Sequence, residues 1–469
     1  MEQFSAEGYW LSRLLYVRGV GAIYLIAFLV AANQFRPLLG ERGLLPVPRF
    51  VARVPFRLAP SIFHWRYSDL LASVVAWTGV ALSALVVVGA TERAAWSHLA
   101  AWLVLWVLYL SFVNVGQTFY GFGWESILLE AGVFAALLGP ATSDPTLPAI
   151  LLVRWLLFRV EFGAGLIKMR GDPCWRDLTC LYYHQETQPI PNRLSWYAHH
   201  LPEPLHRVEV LANHIAQLVV PFGLFLPQPI ASIAAGIIVV TQGWLVLSGN
   251  FSWLNLVTIV AAIPAFSDDV LSWLLPLEPR VVPDPSTWFV VLVLAMTLLV
   301  AVLSYGPIRN MASRHQRMNA SFNPFHFVGT YGAFGSITKV RHEIVLEWTD
   351  ETTVTPETRW YEYEFKAKPG DPSRRPRQIA PYQLRLDWLM WFAAMSPAPA
   401  DQWLLNLVVK LLEADPPTLR LLRRAPESRP TAIRAVRYRY RYTTPAERRA
   451  TGDWWVRSDR REFLPPVRL

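Results

Sequence analysis

The stretch LLASVVAWTGVALSALVVVG, residues 70–89, runs for twenty positions without a charged side chain. At 1.5 Å of rise per residue it is long enough to carry an α-helix across a hydrocarbon layer about 30 Å thick. Working outward, further largely apolar runs occupy 14–31, 99–115, 124–138, 148–167, 208–226, 230–247, 254–266 and 287–305. The fourth run, 124–138, and the eighth, 254–266, are short enough to be tilted or re-entrant, so the expected count is seven to nine spans. Residues after 310 change character and read as ordinary mixed sequence. The expected fold is a polytopic α-helical membrane protein: a multi-span part over 1–310, with long loops at 33–69 and 168–207, followed by an extramembrane α+β domain over 311–469.

Composition agrees with this division. Of 469 residues, 53% are hydrophobic and 17% charged, where soluble proteins carry about 25% charged residues. The net charge of +9 rests on 44 basic residues, of which only five are lysine. That bias reads as codon usage rather than as a nucleic-acid footprint, so no nucleic-acid partner is expected. Two cysteines six positions apart exclude a disulfide scaffold and a zinc site. No glycine-rich phosphate loop, G-x-S-x-G elbow or metal spacing is present, so neither cofactor nor metal is expected. Glu2 and Glu7 precede the first span without a cleavable-signal pattern.

In the C-terminal part, 340–348 and 360–368 alternate polar and apolar residues as half-buried strands do. Residues 384–395 and 403–414 have helical spacing, and IRAVRYRYRYT at 433–443 predicts a strand with an exposed face.

Ionisable residues inside spans are costly and are functional candidates. Arg154, Glu161 and Lys168 recur every seven residues, on one helix face and alternating in sign. They read either as a buried relay or as an ion-pair ladder gluing helices together. Arg159 points elsewhere and is expected to pair with Glu125 or Glu130. His214 and Gln217 lie about one turn apart ahead of Pro221. Lys168 is the only lysine among the first 338 residues, and lysine, unlike arginine, can surrender its proton when desolvated. Lys168, Glu161, Arg154 and His214 are therefore the catalytic candidates, should the chain be an enzyme. In the 168–207 loop, Cys174 and Cys180 are expected to form a disulfide or redox pair, while His184, His199, His200 and His206 form no metal spacing.

The segment GAGLIKMRGDPCWRDLTCLYYHQETQ (163–188) resembles the lipase maturation factor family. So do PLLGERGLLP (37–46), WESILLEAG (124–132), LSGNFSWLN (247–255), NPFHFVGTYGAFGSITK (323–339), KPGDPSRRP (368–376) and RLDWLMWFAA (385–394). The resemblance implies a multi-pass membrane protein, of the endoplasmic reticulum in eukaryotes, that lets secreted lipases fold and assemble. Its expected partners are a lipase-like client and membrane lipids. Trp175, His184, Trp196, Tyr197, Tyr438 and Tyr440 are the expected client-binding residues, the alternative being that these aromatics fill each region's own core. Short length, abundant arginine and the ending PPVRL point to a bacterial homologue in the plasma membrane. Phe162, Gly165, Lys168, Asp172 and Trp175 are also similar, more distantly, to a turn in the vitamin K-dependent γ-carboxylase superfamily. That likeness implies the alternative function, a membrane-embedded enzyme with Lys168 as general base; the non-enzymatic reading is preferred. The arginines of 33–69 and Arg309, Arg314 and Arg317 would by charge asymmetry put this face in the cytoplasm, whereas the family resemblance implies the lumen. The resemblance is followed.

Overall fold

The computed structural model describes residues 4–396, 399 and 401–469. The apolar runs form helices α1 (Trp10–Leu39), α2 (Asp69–Val88), α3 (Ala95–Val115), α4 (Gly123–Leu138), α5 (Leu147–Arg170), α6 (Glu203–Leu218), α7 (Ile230–Ser248), α8 (Leu254–Ala262) and α9 (Thr287–Leu303). Among the described residues, five helical stretches are long and apolar enough to cross a membrane: α1, α2, α3, α7 and Thr287–Ala312, which begins with α9. The others miss for physical reasons. Helix α5 has the length but carries Arg154, Arg159, Glu161, Lys168 and Arg170. Helix α6 stops just before Pro221, whose ring cannot continue the hydrogen-bond ladder. Helices α4 and α8 span only 16 and 9 residues.

The helix ends gather at two faces of the bundle. At one face, Asp268 accepts from the amides of Trp10 and Leu11 at 2.9 Å each, satisfying orphan donors at the start of α1. At the same face, Arg13 pairs with Glu92 just beyond α2. At the opposite face, Gln34 of α1 donates to the Gln383 carbonyl at 2.6 Å, joining the membrane part to the C-terminal domain. Helix α2 starts there under a Ser68 cap, whose hydroxyl accepts from Leu71 N at 3.1 Å.

The C-terminal domain is a four-stranded antiparallel sheet in the order β2-β1-β3-β4, formed by β1 (Arg341–Thr349), β2 (Tyr361–Glu362), β3 (Ala432–Tyr442) and β4 (Trp455–Val467). Val345 faces Val436 at the centre of the β1–β3 ladder. Helices α10 (Arg385–Met395) and α11 (Gln402–Leu412) accompany the sheet. The strand expected over 360–368 shrinks to two residues. Beyond it the chain peels away because the amides of Ala367 and Lys368 turn to Asp387 Oδ1 of α10, at 2.6 and 3.0 Å. Strand β4 was not expected, because its middle alternates no apolar residues and is exposed.

Candidate functional site

Buried charges fix how the parts meet. Arg159 chooses Glu130 in α4: its guanidinium bonds both carboxylate oxygens, and Tyr331 Oη donates to the same carboxylate at 2.7 Å. Arg159 also donates to the Gly329 carbonyl at 2.7 Å. Glu125 is satisfied from outside the helix bundle by Arg385 of the C-terminal domain at 2.8 Å, and from within it by the Tyr109 hydroxyl of α3. Each of these four ionisable side chains is at most 1% exposed. The segment 323–339 thus lies as an irregular strap along α4 and α5, backbone against backbone. A side chain at Gly163 would meet the Tyr331 carbonyl at 2.4 Å, and one at Gly171 the Gly335 carbonyl at 2.0 Å, so only glycine permits this approach.

Between α5, α6, α7, α8, the strap and α10 lies a chamber of about 1120 Å³. One wall is polar. Lys168 Nζ donates to Asn213 Oδ1 at 2.8 Å and Gln217 Oε1 at 2.9 Å, and sits 4.8 Å from the Trp175 ring centroid, a cation–π distance. Gln242 donates to Glu161 Oε1 at 2.6 Å. The remaining lining is mostly apolar, with aromatic rings that include Trp124, Phe251, Phe334, Trp388 and Phe392. Trp388 and Phe392 come from α10, so the C-terminal domain closes this end.

The expected ladder of three charges is not closed. Lys168 and Glu161 line the chamber, whereas Arg154 donates to the carbonyls of Pro264 and Leu224 at 3.1 and 3.0 Å, away from it. Among the described residues Lys168 makes no ion pair within 4 Å; amide oxygens take its protons instead. His214 bonds the Trp175 carbonyl at 2.9 Å and holds the loop rather than facing the chamber. Gln242, Asn213 and Asn255 were not singled out from the sequence, although uncompensated amides within apolar runs are a usable signal.

The 168–207 loop is clamped between the membrane part and the C-terminal domain. Asn192 donates to the carbonyl of Leu247 at 2.8 Å and to Gln378 Oε1 at 2.7 Å, while its own Oδ1 accepts from Leu194 N and Ser195 N. Asn250 reaches the Arg377 carbonyl and accepts from Ile379 N and Ala380 N. Arg341 of β1 donates to the carbonyls of Glu186, Gln188 and Pro189. Two of the quoted segments, 163–188 and 247–255, thus supply part of one junction, together with Asn192, Arg341 and residues 377–380 outside them.

The aromatics expected to face a client are mostly buried here. Trp196 is inserted into the C-terminal domain beside Tyr440, Tyr442, Trp454 and Trp455, donating to the Thr443 carbonyl at 2.9 Å. Tyr440 donates to the Gly370 carbonyl at 2.8 Å. Trp175 and His184 border the chamber, Tyr438 is half-buried, and Tyr197 alone of the six is exposed, at 47%. The sheet buries its tyrosines because Trp196, Trp454 and Trp455 cover that face.

Cys174 and Cys180 are disulfide-bonded, with Cα atoms 4.8 Å apart, within the reach of a disulfide. The bond closes a short loop next to Trp175 and Lys168. Replacing both cysteines by serine is expected to lower stability by about 2 kcal/mol, since the closed loop is short. Urea titration of the detergent-solubilised chain, with and without reductant, measures this; equal midpoints for variant and oxidised wild type would contradict it.

His184 is wedged between Phe251 and Phe334, 6.1 and 5.0 Å away between ring centroids. Burial, and secondly the charge of Lys168, push its imidazole down from 6.5 to about 4. Between those values the unfolded chain binds the proton and the folded chain does not. Stability is thus retained above pH 6.5 and lost as pH falls towards 4, by on the order of 2–4 kcal/mol. The difference in melting temperature between wild type and His184→Phe should grow in the variant's favour across that window; a pH-independent difference would refute the assignment.

Helices of membrane-crossing length and a sheet-bearing C-terminal domain define an integral, multi-pass membrane protein. Residues 11–273 match the family model described as Lipase maturation factor transmembrane domain, and residues 327–465 the one described as Lipase maturation factor C-terminal domain. The chain is 40% identical to Lipase maturation factor 1 of Bos taurus over 98% of its own length and 90% of the relative's. It is likewise 40% identical to Lipase maturation factor 1 of Homo sapiens, covering 98% of this chain and 88% of that one. Lipase maturation factor 2 of Homo sapiens is 28% identical over 98% and 83%. No solved structure matches the chain. The protein belongs to the lipase maturation factor family.

Proposed function

We propose that the protein is a membrane-bound maturation factor whose clients are secreted lipases or related hydrolases. The observation that carries this reading is similarity along 98% of the chain to relatives named for lipase maturation. In this reading the face bearing the 33–69 loop, the 168–207 loop and the C-terminal domain receives the client and shields its apolar surface until subunits dock. Tyr197, half-buried Tyr438 and the aromatic rim of the chamber are the contact residues. The multi-span part works as 1–310 and the extramembrane part as 311–469. All nine helices α1–α9 traverse the layer, with α4 and α8 as short crossings buried among their neighbours. An odd number of crossings from a far-face N-terminus delivers the C-terminal domain to the loop's face. That face opens to an oxidising compartment, in keeping with the Cys174–Cys180 bond: the lumen of the endoplasmic reticulum, or the outer side of a bacterial plasma membrane.

The test is co-expression with a secreted lipase in cells lacking their own maturation factor, reading active lipase per mass of lipase secreted. Wild type should raise that ratio several-fold. An unchanged ratio with well-expressed protein would overturn the reading.

A further inference from the structure

The chamber opens sideways as well as towards the loop face. Its lining includes Ala212 on α6 and Val240 on α7, both of which are also exposed on the outer surface. Val240 is 73% exposed. The outward faces of these two helices are apolar where they flank the opening, with Leu211, Ile215 and Leu247 about half exposed. In a multi-pass protein such a surface meets acyl chains, so what enters between α6 and α7 comes from the bilayer.

We propose that the chamber holds one zwitterionic phospholipid, admitted from the membrane between α6 and α7. The volume of about 1120 Å³ exceeds that of ordinary small-molecule sites, which run to about 1,000 Å³. The mostly apolar lining suits acyl chains, and the polar wall selects the headgroup. Lys168 and Glu161 stand two turns apart on α5, one cation and one anion on the same wall. A phosphate meets the ammonium of Lys168, and the headgroup's quaternary ammonium meets the carboxylate of Glu161. An anionic lipid such as phosphatidylglycerol offers the same phosphate but no cation to offset Glu161, and carries net negative charge past Glu209, which stands at the opening and accepts from Trp244 Nε1 at 2.5 Å. A neutral acylglycerol would leave both wall charges without a counter-group. This occupancy is independent of which client the protein serves.

The experiment reconstitutes the full chain into vesicles of equal parts phosphatidylcholine and phosphatidylglycerol, re-extracts it in mild detergent and weighs the intact complex by native mass spectrometry. Wild type should retain one phosphatidylcholine per chain. Ala212→Trp, which plugs the opening from an exposed position, and Lys168→Met should each lower occupancy about tenfold. Val240→Trp, at the opposite rim, reads the same quantity if Ala212→Trp fails to fold. Retention of phosphatidylglycerol in preference or in equal share, no retained lipid, or unchanged occupancy in folded variants would each overturn the proposal. No client is present, so failure here is distinct from failure of the maturation reading.

Discussion

Arg385→Leu should destabilise the full chain by about 3–5 kcal/mol, the cost of leaving a buried carboxylate without its partner. Arg385 is wholly buried, bonds Glu125 Oε1 at 2.8 Å and the Phe119 carbonyl at 2.7 Å, and stacks 3.4 Å from the Tyr120 ring centroid. Its backbone amide donates to Gln34 of α1. The residue belongs to the C-terminal domain, yet every one of these partners lies before residue 126. Losing it therefore weakens the joint between the two parts as well as the local packing. The double variant Glu125→Gln, Arg385→Leu removes both charges and should recover much of the loss, because no uncompensated ion then remains buried. Melting temperatures of the solubilised proteins, arranged as a double-mutant cycle, measure the coupling. A single-variant loss below about 1 kcal/mol, or additive losses, would show that the pair does not hold the joint.

What the sequence revealed and what it hid follow from the range of the interactions concerned. Helices appeared as charge-free runs because their signal is local, and α2 ends at Val88, its last apolar position, capped by the left-handed Gly89. The Cys174–Cys180 bond was legible because its partners are six positions apart. The choice of Arg159 between Glu125 and Glu130 was not, since the competing cation, Arg385, lies 260 residues from Glu125. The alternation in RYRYRY announced a strand correctly. It did not reveal that Trp196, more than two hundred residues earlier, covers the tyrosine face and turns expected contact residues into core. The chamber was half legible: Lys168 and Glu161 stood out as charges in a span, whereas Asn213 and Gln242, which hold them, are uncharged and were passed over. Arg154 shares their helical face, yet the carbonyls of Pro264 and Leu224 claim it first. Helical spacing fixes a direction but not a partner.

Glu130→Leu should cost a further and comparable amount, about 3–5 kcal/mol, and it should loosen the strap selectively. The carboxylate is the meeting point of three segments: α4, which carries it, Arg159 of α5, and Tyr331 of the strap. Without it, among the described residues Arg159 keeps only the Gly329 carbonyl of the strap as a hydrogen-bond acceptor, and its charge stays buried among helices. Tyr331→Phe removes one hydroxyl and leaves the ion pair intact, so it should cost only about 1 kcal/mol. The ratio between the two effects separates loss of a hydrogen bond from loss of the ion pair. Because residues 323–339 run along α4 and α5 towards the chamber, Glu130→Leu should also speed hydrogen exchange at Tyr331 to Gly335 more than in β1 or β3. Exchange that rises equally across the strap and the sheet would mean that the carboxylate supports the whole molecule. Exchange confined to the strap would establish that this buried ion pair sets one wall of the chamber.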